Sequence, residues 1–288
     1  MRELAMNSKE TRQIVLQALL EDTFDQDITT NLLVPKEKIS EAYMIVKEDA
    51  VLCGLKIAKQ VFHRIDKNLK FNTSFSDGDK VKKGTKIAFL KGKTRTILTG
   101  ERTALNFLGY LSGIATNTNR FAEKVRHTKA KILDTRKTTP CLRKLEKYAV
   151  RCGGGVNHRH NLNEMVLIKD NHREISEHLD ELVGILKKFR KISTKSVIIE
   201  VDTLAQLRRV LKAKPDIVLL DNMNNRQMRD AVKIVKAFKG KHPLLEASGG
   251  VTLKNVRSIA KTGVDRISTG ALTHTYKTVD VSMEILTQ

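Results

Sequence analysis

The chain has 288 residues, of which 40% are hydrophobic, and its 53 Lys and Arg against 32 Asp and Glu give a net charge of +21. Domains run to roughly 100–200 residues, so this length allows one large domain or two, and the apolar content excludes a disordered chain. No apolar run approaches the roughly 18 residues of a membrane helix, and the opening MRELAMNSKE lacks an apolar signal core, so neither a membrane partner nor export is expected.

Cys53, Cys141 and Cys152 have no metal-binding or disulfide spacing, which fits a reducing, cytoplasmic setting. The positive balance suits two kinds of partner. One is a nucleic acid; the other is a polyanionic small molecule concentrated by the field of an enzyme. The chain has no Trp, only four Tyr and no arginine-rich tail, so it is poorly supplied with platforms for stacking bases.

In chain order, residues 8–20 predict a helix that Ser8 or Asn7 can cap, with Ile14, Leu16, Leu19 and Leu20 apolar. From about 40 to 99, short β-branched runs such as EAYMIVKEDAVLCG and GTKIAFLKGKTRTIL alternate with the turn signals Asp77-Gly78 and Lys83-Gly84. They predict a small mixed β-rich domain with a helix near 55–65. Residues 100–126 predict one long helix or two, with Gly109 and Gly113 allowing close packing or a bend.

The remainder alternates. AKILDT (130–135), MVLIKD (165–170), SVIIEV (196–201), DIVLLD (216–221), LLEAS (244–248) and DRISTG (265–270) predict strands. Helical spacing separates most of them, as at Leu179, Leu182, Val183 and Leu186, or Met228, Ala231, Val232 and Val235. Continuously apolar strands are buried on both faces, which predicts a parallel sheet in a β/α barrel or a doubly wound fold. The barrel is preferred, because no Gly-rich dinucleotide fingerprint follows the first strand.

Barrel chemistry collects at the C-terminal ends of strands. Here those ends carry Asp134-Thr135-Arg136-Lys137, Lys169-Asp170-Asn171, Glu200-Val201-Asp202, Asp221-Asn222, Ser248-Gly249-Gly250 and Thr269-Gly270-Ala271. The last two suit a phosphate bound by backbone N–H groups. Between the first two strands, Arg151-Cys152-Gly153-Gly154-Gly155-Val156-Asn157-His158-Arg159 sets His158 and Arg159 on a glycine-rich loop leaving the same mouth. A solvated His or Arg is the ordinary reading of one such residue, and His160 keeps it.

The stretches GERTALNFLGYLSGIAT (100–116), ILDTRKTTPCLRKLEKYAVRCGGGVNHR (132–159), MVLIKDNH (165–172), IEVDTLAQL (199–207), VLLDNM (218–223), LEASGGVTLKNV (245–256) and GVDRISTGALTH (263–274) closely resemble the quinolinate phosphoribosyltransferase family. DITT at 27–30 resembles its N-terminal signature. Two departures stand out. Ile198-Ile199-Glu200-Val201-Asp202 lacks the first acid of the family's Glu-Val-Glu-Val-Asp, and His160 stands where an aliphatic or aromatic residue is common. Molybdenum-associated relatives share much of the pattern and are the alternative.

The resemblance implies an α/β chain with an N-terminal α/β sandwich over 1–115, joined by 275–288, and an open, incomplete β/α barrel over 116–274. It implies transfer of phosphoribose from phosphoribosyl pyrophosphate to quinolinate, giving nicotinate mononucleotide, pyrophosphate and CO2 in NAD biosynthesis, with Mg2+. By position, Arg102, Arg136, His158, Arg159 and Lys169 resemble binders of the two quinolinate carboxylates, with Arg102 supplied across a homodimer or larger homo-oligomer. Thr135 is a further substrate-binding position. Lys137, Glu200 and Asp221 resemble the contacts to phosphoribosyl pyrophosphate and its magnesium, and Lys169 joins them as a catalytic candidate. Ser248, Gly249, Gly250, Thr269, Gly270 and Ala271 resemble the 5′-phosphate site. Neither nucleic acid nor membrane is implied as a partner.

Overall fold

A computed structural model describes residues 8–169, 172 and 179–286. Asn7, Asp170 and Asn171, named above as a cap and as strand-end residues, lie outside the described residues.

The elements, in order, begin with α1 (Lys9–Glu21), α2 (Ile28–Leu33), β1 (Ile39–Val46), β2 (Ala50–Val51), α3 (Leu55–Ile65), β3 (Lys70–Asn72), β4 (Lys80–Val81), β5 (Lys86–Lys93) and α4 (Thr94–Val125). There follow β6 (Lys131–Leu133), α5 (Arg143–Cys152), β7 (Val166–Ile168), α6 (Leu179–Ile192), β8 (Val197–Val201), α7 (Leu204–Val210) and β9 (Ile217–Asp221). The chain continues through α8 (Asn225–Ala237), β10 (Leu244–Ser248), α9 (Val256–Ala260), β11 (Arg266–Ser268), α10 (Ala271–His274) and β12 (Val281–Leu286). Among the described residues no helix is long and apolar enough to cross a membrane.

Two compact units result. The first comprises 8–119, 139–154 and 275–286, and the second 120–138 and 155–274. The border at 119/120 lies close to the one expected at 115/116. The sequence reading did not separate 139–154 from the barrel, yet α5 packs in the first unit. Polar contacts tie it there: Tyr148 Oη donates to Asp77 Oδ2 at 2.8 Å, Lys144 pairs with Glu10 at 2.6 Å, and buried Glu146 accepts from Tyr110 Oη and from the Thr139 amide.

The first unit is an α/β sandwich built on an antiparallel sheet in the order β12-β1-β5-β3. Ala42, Met44 and Val46 alternate into its core from β1, as the period-two pattern requires. Ser8 caps α1 with its side chain accepting from the Thr11 amide. The run TRTIL, expected to extend the β5 strand, is helical instead. The Thr94 amide and hydroxyl both donate to Lys38 O, at 2.8 and 3.0 Å, and the chain turns there into one continuous helix of 32 residues. The 277–279 segment crosses that helix so closely that a Cβ would lie 2.6 Å from Val279 O at Gly109 and 2.5 Å from Lys277 O at Gly113.

The second unit is an open β/α barrel. Its six parallel strands run β6-β11-β10-β9-β8-β7, leaving β6 and β7 as edges. Register divides the side chains into layers. Ile198 pairs with Ile217 and with Leu167, and these residues cluster with Leu219 and Met165 as the apolar floor. One step along, Arg266, Glu246, Leu219 and Glu200 stand side by side on one face. Asp221 and Ser248 are partners at the next step. At the opposite end Asp216 stitches β8 to β9. Its amide donates to Val197 O at 3.0 Å, and its carboxylate accepts from the Val197 amide at 2.8 Å.

Candidate active site

The strand ends of the second unit carry most of the expected site residues. Thr135 Oγ1 accepts from the Lys137 amide at 3.0 Å, and this turn presents Arg136 and Lys137 after β6. Lys137 lies against the second glycine turn: Thr273 Oγ1 donates to Lys137 O at 2.6 Å, and a Cβ on Gly270 would stand 3.0 Å from Lys137 Cδ. Among the described residues the exposed Lys137 ammonium has no carboxylate within ion-pair distance. The same Cβ on Gly270 would stand 2.7 Å from His274 Nε2, so His274 belongs to this corner of the mouth. The sequence reading quoted His274 within a matching stretch but gave it no role.

Arg159 is 8% exposed, and its Nη1 donates to Met165 O at 3.3 Å. Burial, and then the charge of Arg136 nearby, hold its guanidinium below the usual arginine range. Neighbouring guanidiniums of this kind suit an anionic ligand.

His158 sits deeper than a direct carboxylate ligand would suggest, at 7% exposed. Its amide donates to Asp134 Oδ1 at 2.8 Å, and its Nδ1 accepts from the Arg159 amide, also at 2.8 Å. Its Nε2 faces Glu246 Oε1 at 3.4 Å. Asp134, expected as a charged strand end, is fully buried and binds Asn157 Nδ2 at 2.6 Å as well, so it shapes the loop rather than meeting solvent.

Glu200 is 5% exposed and faces Lys169 Nζ at 3.5 Å. Asp221 is half-buried at the end of the neighbouring strand, where Asn222 Nδ2 donates to it at 2.8 Å. Ser248 O accepts from the Asn222 amide at 3.0 Å. Asn222 crowds Gly249, where a Cβ would lie 2.1 Å from Asn222 Oδ1. With φ of +86° at Gly249 and +60° at Gly250, the turn adopts a backbone that side chains resist. A Cβ on Gly250 would meet nothing within 4 Å, so the face of that turn is open to a ligand. Thr269 is buried, and its hydroxyl accepts from the Ala271 amide at 3.1 Å at the start of α10. Arg102 belongs to the first unit, on α4, where it lines a cleft of about 450 Å³ with Asn106, Tyr110 and Asp280.

The metal expectation can be weighed from these donors. Among the described residues no three His, Cys, Asp or Glu side chains are grouped to hold an ion. Glu200 and Asp221 are hard oxygen donors from adjacent strands, which fits magnesium that brings most of its ligands with a diphosphate and water.

Residues 27–112 match the family model described as quinolinate phosphoribosyl transferase, N-terminal domain, and residues 114–284 match that of its C-terminal domain. The chain belongs to the quinolinate phosphoribosyltransferase family. It is 39% identical over 284 residues to a probable nicotinate-nucleotide pyrophosphorylase (carboxylating) of Methanocaldococcus jannaschii, covering 95% of this chain and 96% of that one. A Bacillus subtilis relative of the same description is 38% identical, with 97% and 95% covered. Among solved structures, the nicotinate-nucleotide pyrophosphorylase of Francisella tularensis aligns with a TM-score of 0.87 at 38% identity, covering 99% of this chain and 97% of that one. In this quinolinate phosphoribosyltransferase fold the sequence reading missed the buried Glu246–Arg266 pair, at 2.7 Å. The available signal was a lone acid inside the apolar strand LLEAS.

Proposed function

We propose that this chain transfers the phosphoribosyl group of phosphoribosyl pyrophosphate to the ring nitrogen of quinolinate and releases CO2, forming nicotinate mononucleotide for NAD biosynthesis. The observation that carries the reading is the pair Arg136 and Arg159, two neighbouring guanidiniums suited to a ligand with adjacent carboxylates. Lys169 adds a third cation, which a substrate carboxylate would draw from Glu200.

The chemistry is a displacement. The pyridine nitrogen bonds to the anomeric carbon as the bond to pyrophosphate breaks, and the leaving oxygen keeps the electron pair. Lys137, exposed and without an acid partner among the described residues, stabilises that growing negative charge. Glu200 and Asp221 hold ribose hydroxyls and balance positive character on the sugar ring. Magnesium bound with the diphosphate would supply further neutralising charge between these carboxylates and the leaving group. The turns Ser248–Gly250 and Thr269–Ala271 receive the 5′-phosphate on backbone amides. The pyridinium then draws the electrons of the bond to the 2-carboxylate as CO2 departs, and a proton takes its place on the ring carbon. No covalent enzyme intermediate is required.

Arg102 completes the carboxylate site from the neighbouring subunit of a homodimer or larger assembly. Its exposure on α4 supports a role outside its own fold. The three free thiols suit the cytosol as the setting. The deciding experiment supplies purified protein with magnesium, phosphoribosyl pyrophosphate and either quinolinate or nicotinate, and follows CO2 and mononucleotide. Quinolinate-dependent release of both is expected; turnover with nicotinate alone overturns the substrate. In a second experiment, Arg102→Ala and Lys169→Ala subunits are mixed. Shared sites regain activity, whereas sites built within one subunit leave the mixture inactive.

A further inference from the structure

The net charge of +21 exceeds what a substrate site needs, and the second unit gathers part of it at one end. Connections run from a helix into β6, β8, β9, β10 and β11 over 126–130, 193–196, 211–216, 238–243 and 261–265. All of them reach the N-terminal ends of parallel strands, the end of the barrel opposite the mouth. Each carries at least one exposed Lys, among them Lys129, Lys195, Lys214, Lys239, Lys241 and Lys261. The acids in these connections are Asp216 and Asp265, and both are engaged. Asp216 holds Arg190 at 2.5 Å and Lys241 at 2.7 Å, while Asp265 holds Lys129 at 2.6 Å and accepts from the Leu245 amide at 2.9 Å. A helix dipole draws a cation into the last turn, but its pull fades within that turn, and Lys195, Lys214, Lys239 and Lys241 lie past it.

Two aliphatic side chains stand among these cations. Ile192 is 86% exposed and Leu244 47%. Both are tied to Asp216. The Leu244 amide donates to Asp216 O at 2.9 Å, and Ile192 follows closely on Arg190, whose Nη1 donates to Lys195 O at 3.3 Å. Such a surface has one part suited to negative charge and another suited to hydrocarbon. A nucleic-acid backbone answers the first and offers the second nothing. A second copy of the chain meeting the same face brings like charge. A bilayer with anionic headgroups answers both, because its negative charge lies directly over acyl chains. We propose that this end of the barrel docks peripherally on an anionic lipid surface, with the lysines at the headgroups and Ile192 and Leu244 reaching beneath them. The mouth lies at the other strand ends, so docking leaves it open. The inference does not depend on which substrate occupies that mouth.

The test sediments purified protein with vesicles of equal parts phosphatidylglycerol and phosphatidylcholine, and with phosphatidylcholine vesicles, at low and at physiological salt. Binding to the anionic vesicles alone is expected, and it weakens as salt rises. The double variant Lys239→Gln/Lys261→Gln should weaken it about 25-fold, on a scale of about fivefold per cation. Ile192→Ser should weaken it about fivefold. Lys70→Gln/Lys83→Gln, which removes the same charge from the first unit, should leave it within about twofold. Thermal midpoints of these exposed-site variants show whether each is folded, and turnover of each should stay within about twofold of wild type, since none lies at the mouth. Wild-type protein that fails to sediment with anionic vesicles at low salt overturns the proposal without recourse to any variant. An equal loss in Lys70→Gln/Lys83→Gln would reduce the effect to net charge and overturn it too, as would vesicle binding that Ile192→Ser leaves unchanged. Fluorescence anisotropy with a labelled DNA duplex runs alongside. A duplex bound more tightly than the vesicles, and lost with Lys239 and Lys261, would assign this end to nucleic acid and sink the lipid reading.

Discussion

Two buried carboxylates share one layer of the barrel and live under different conditions. Glu246 is locked between Arg266, whose side chain is 19% exposed, and the deeply set His158. Glu200, two strands away, faces the looser Lys169, whose side chain is 49% exposed at a separation of 3.5 Å. A charge pair removed from water is costly to break, because the survivor stays buried and uncompensated; a pair open to solvent exchanges partners cheaply. One side of the barrel is therefore framework, and the other side is free to trade a protein contact for a substrate.

The largest expected effect tests the framework. Arg266→Ala leaves Glu246 charged without its partner and should lower unfolding free energy by about 3–5 kcal/mol, read from urea midpoints at neutral pH. A loss below about 1 kcal/mol would erase the distinction between the two sides. Next comes Lys137→Ala, at the mouth, where turnover should fall about 10²–10³-fold while the thermal midpoint stays put. Lys169→Ala sharpens the contrast directly. Its stability cost should stay under about 1 kcal/mol, whereas KM for quinolinate rises about tenfold.

The smallest effect concerns Asp216. Its carboxylate is held by Lys241 at 2.7 Å, the Val197 amide at 2.8 Å and Arg190 at 2.5 Å. Burial pulls its pKa upward, and these contacts override it, taking the group from 3.8 down to about 2. Because the folded value is the lower one, the stabilisation is present in full above the ordinary value and disappears as pH falls through about 2. Asp216→Asn should cost about 1 kcal/mol at pH 7 and flatten the acid limb of the stability curve. An unchanged acid limb would assign that slope to other carboxylates.

The barrel strands were legible because each is a short, continuously apolar run between turn signals, as DIVLLD shows. The mouth was legible because polar residues cluster where those runs stop. Other features depend on partners remote in sequence. Glu246 reads as an anomaly until the parallel register brings Arg266 beside it. TRTIL carries β-branched residues, and its helical course goes with bonds from Thr94 to Lys38 and from Arg95 to Val34 and Asn31 that no local pattern shows. His158 could be placed near the mouth from its loop, but its depth required Asp134 and Glu246 to be seen around it. The α5 segment changed units through contacts to residues as far back as Ser8 and Glu10, which no local pattern announces.

The strand β12 has a consequence for synthesis. All six barrel strands lie within 131–268, whereas β1, made early, has β12 for one of its two neighbours. A nascent chain therefore carries β1 with an open edge through the whole translation of the barrel, and seals it only when Val281–Leu286 emerges and pairs with residues 41–46. A strand made early thus completes its pairing last. For that interval an unpaired edge invites association with other chains, so stalled or truncated products ending before Val281 are the ones most prone to aggregate.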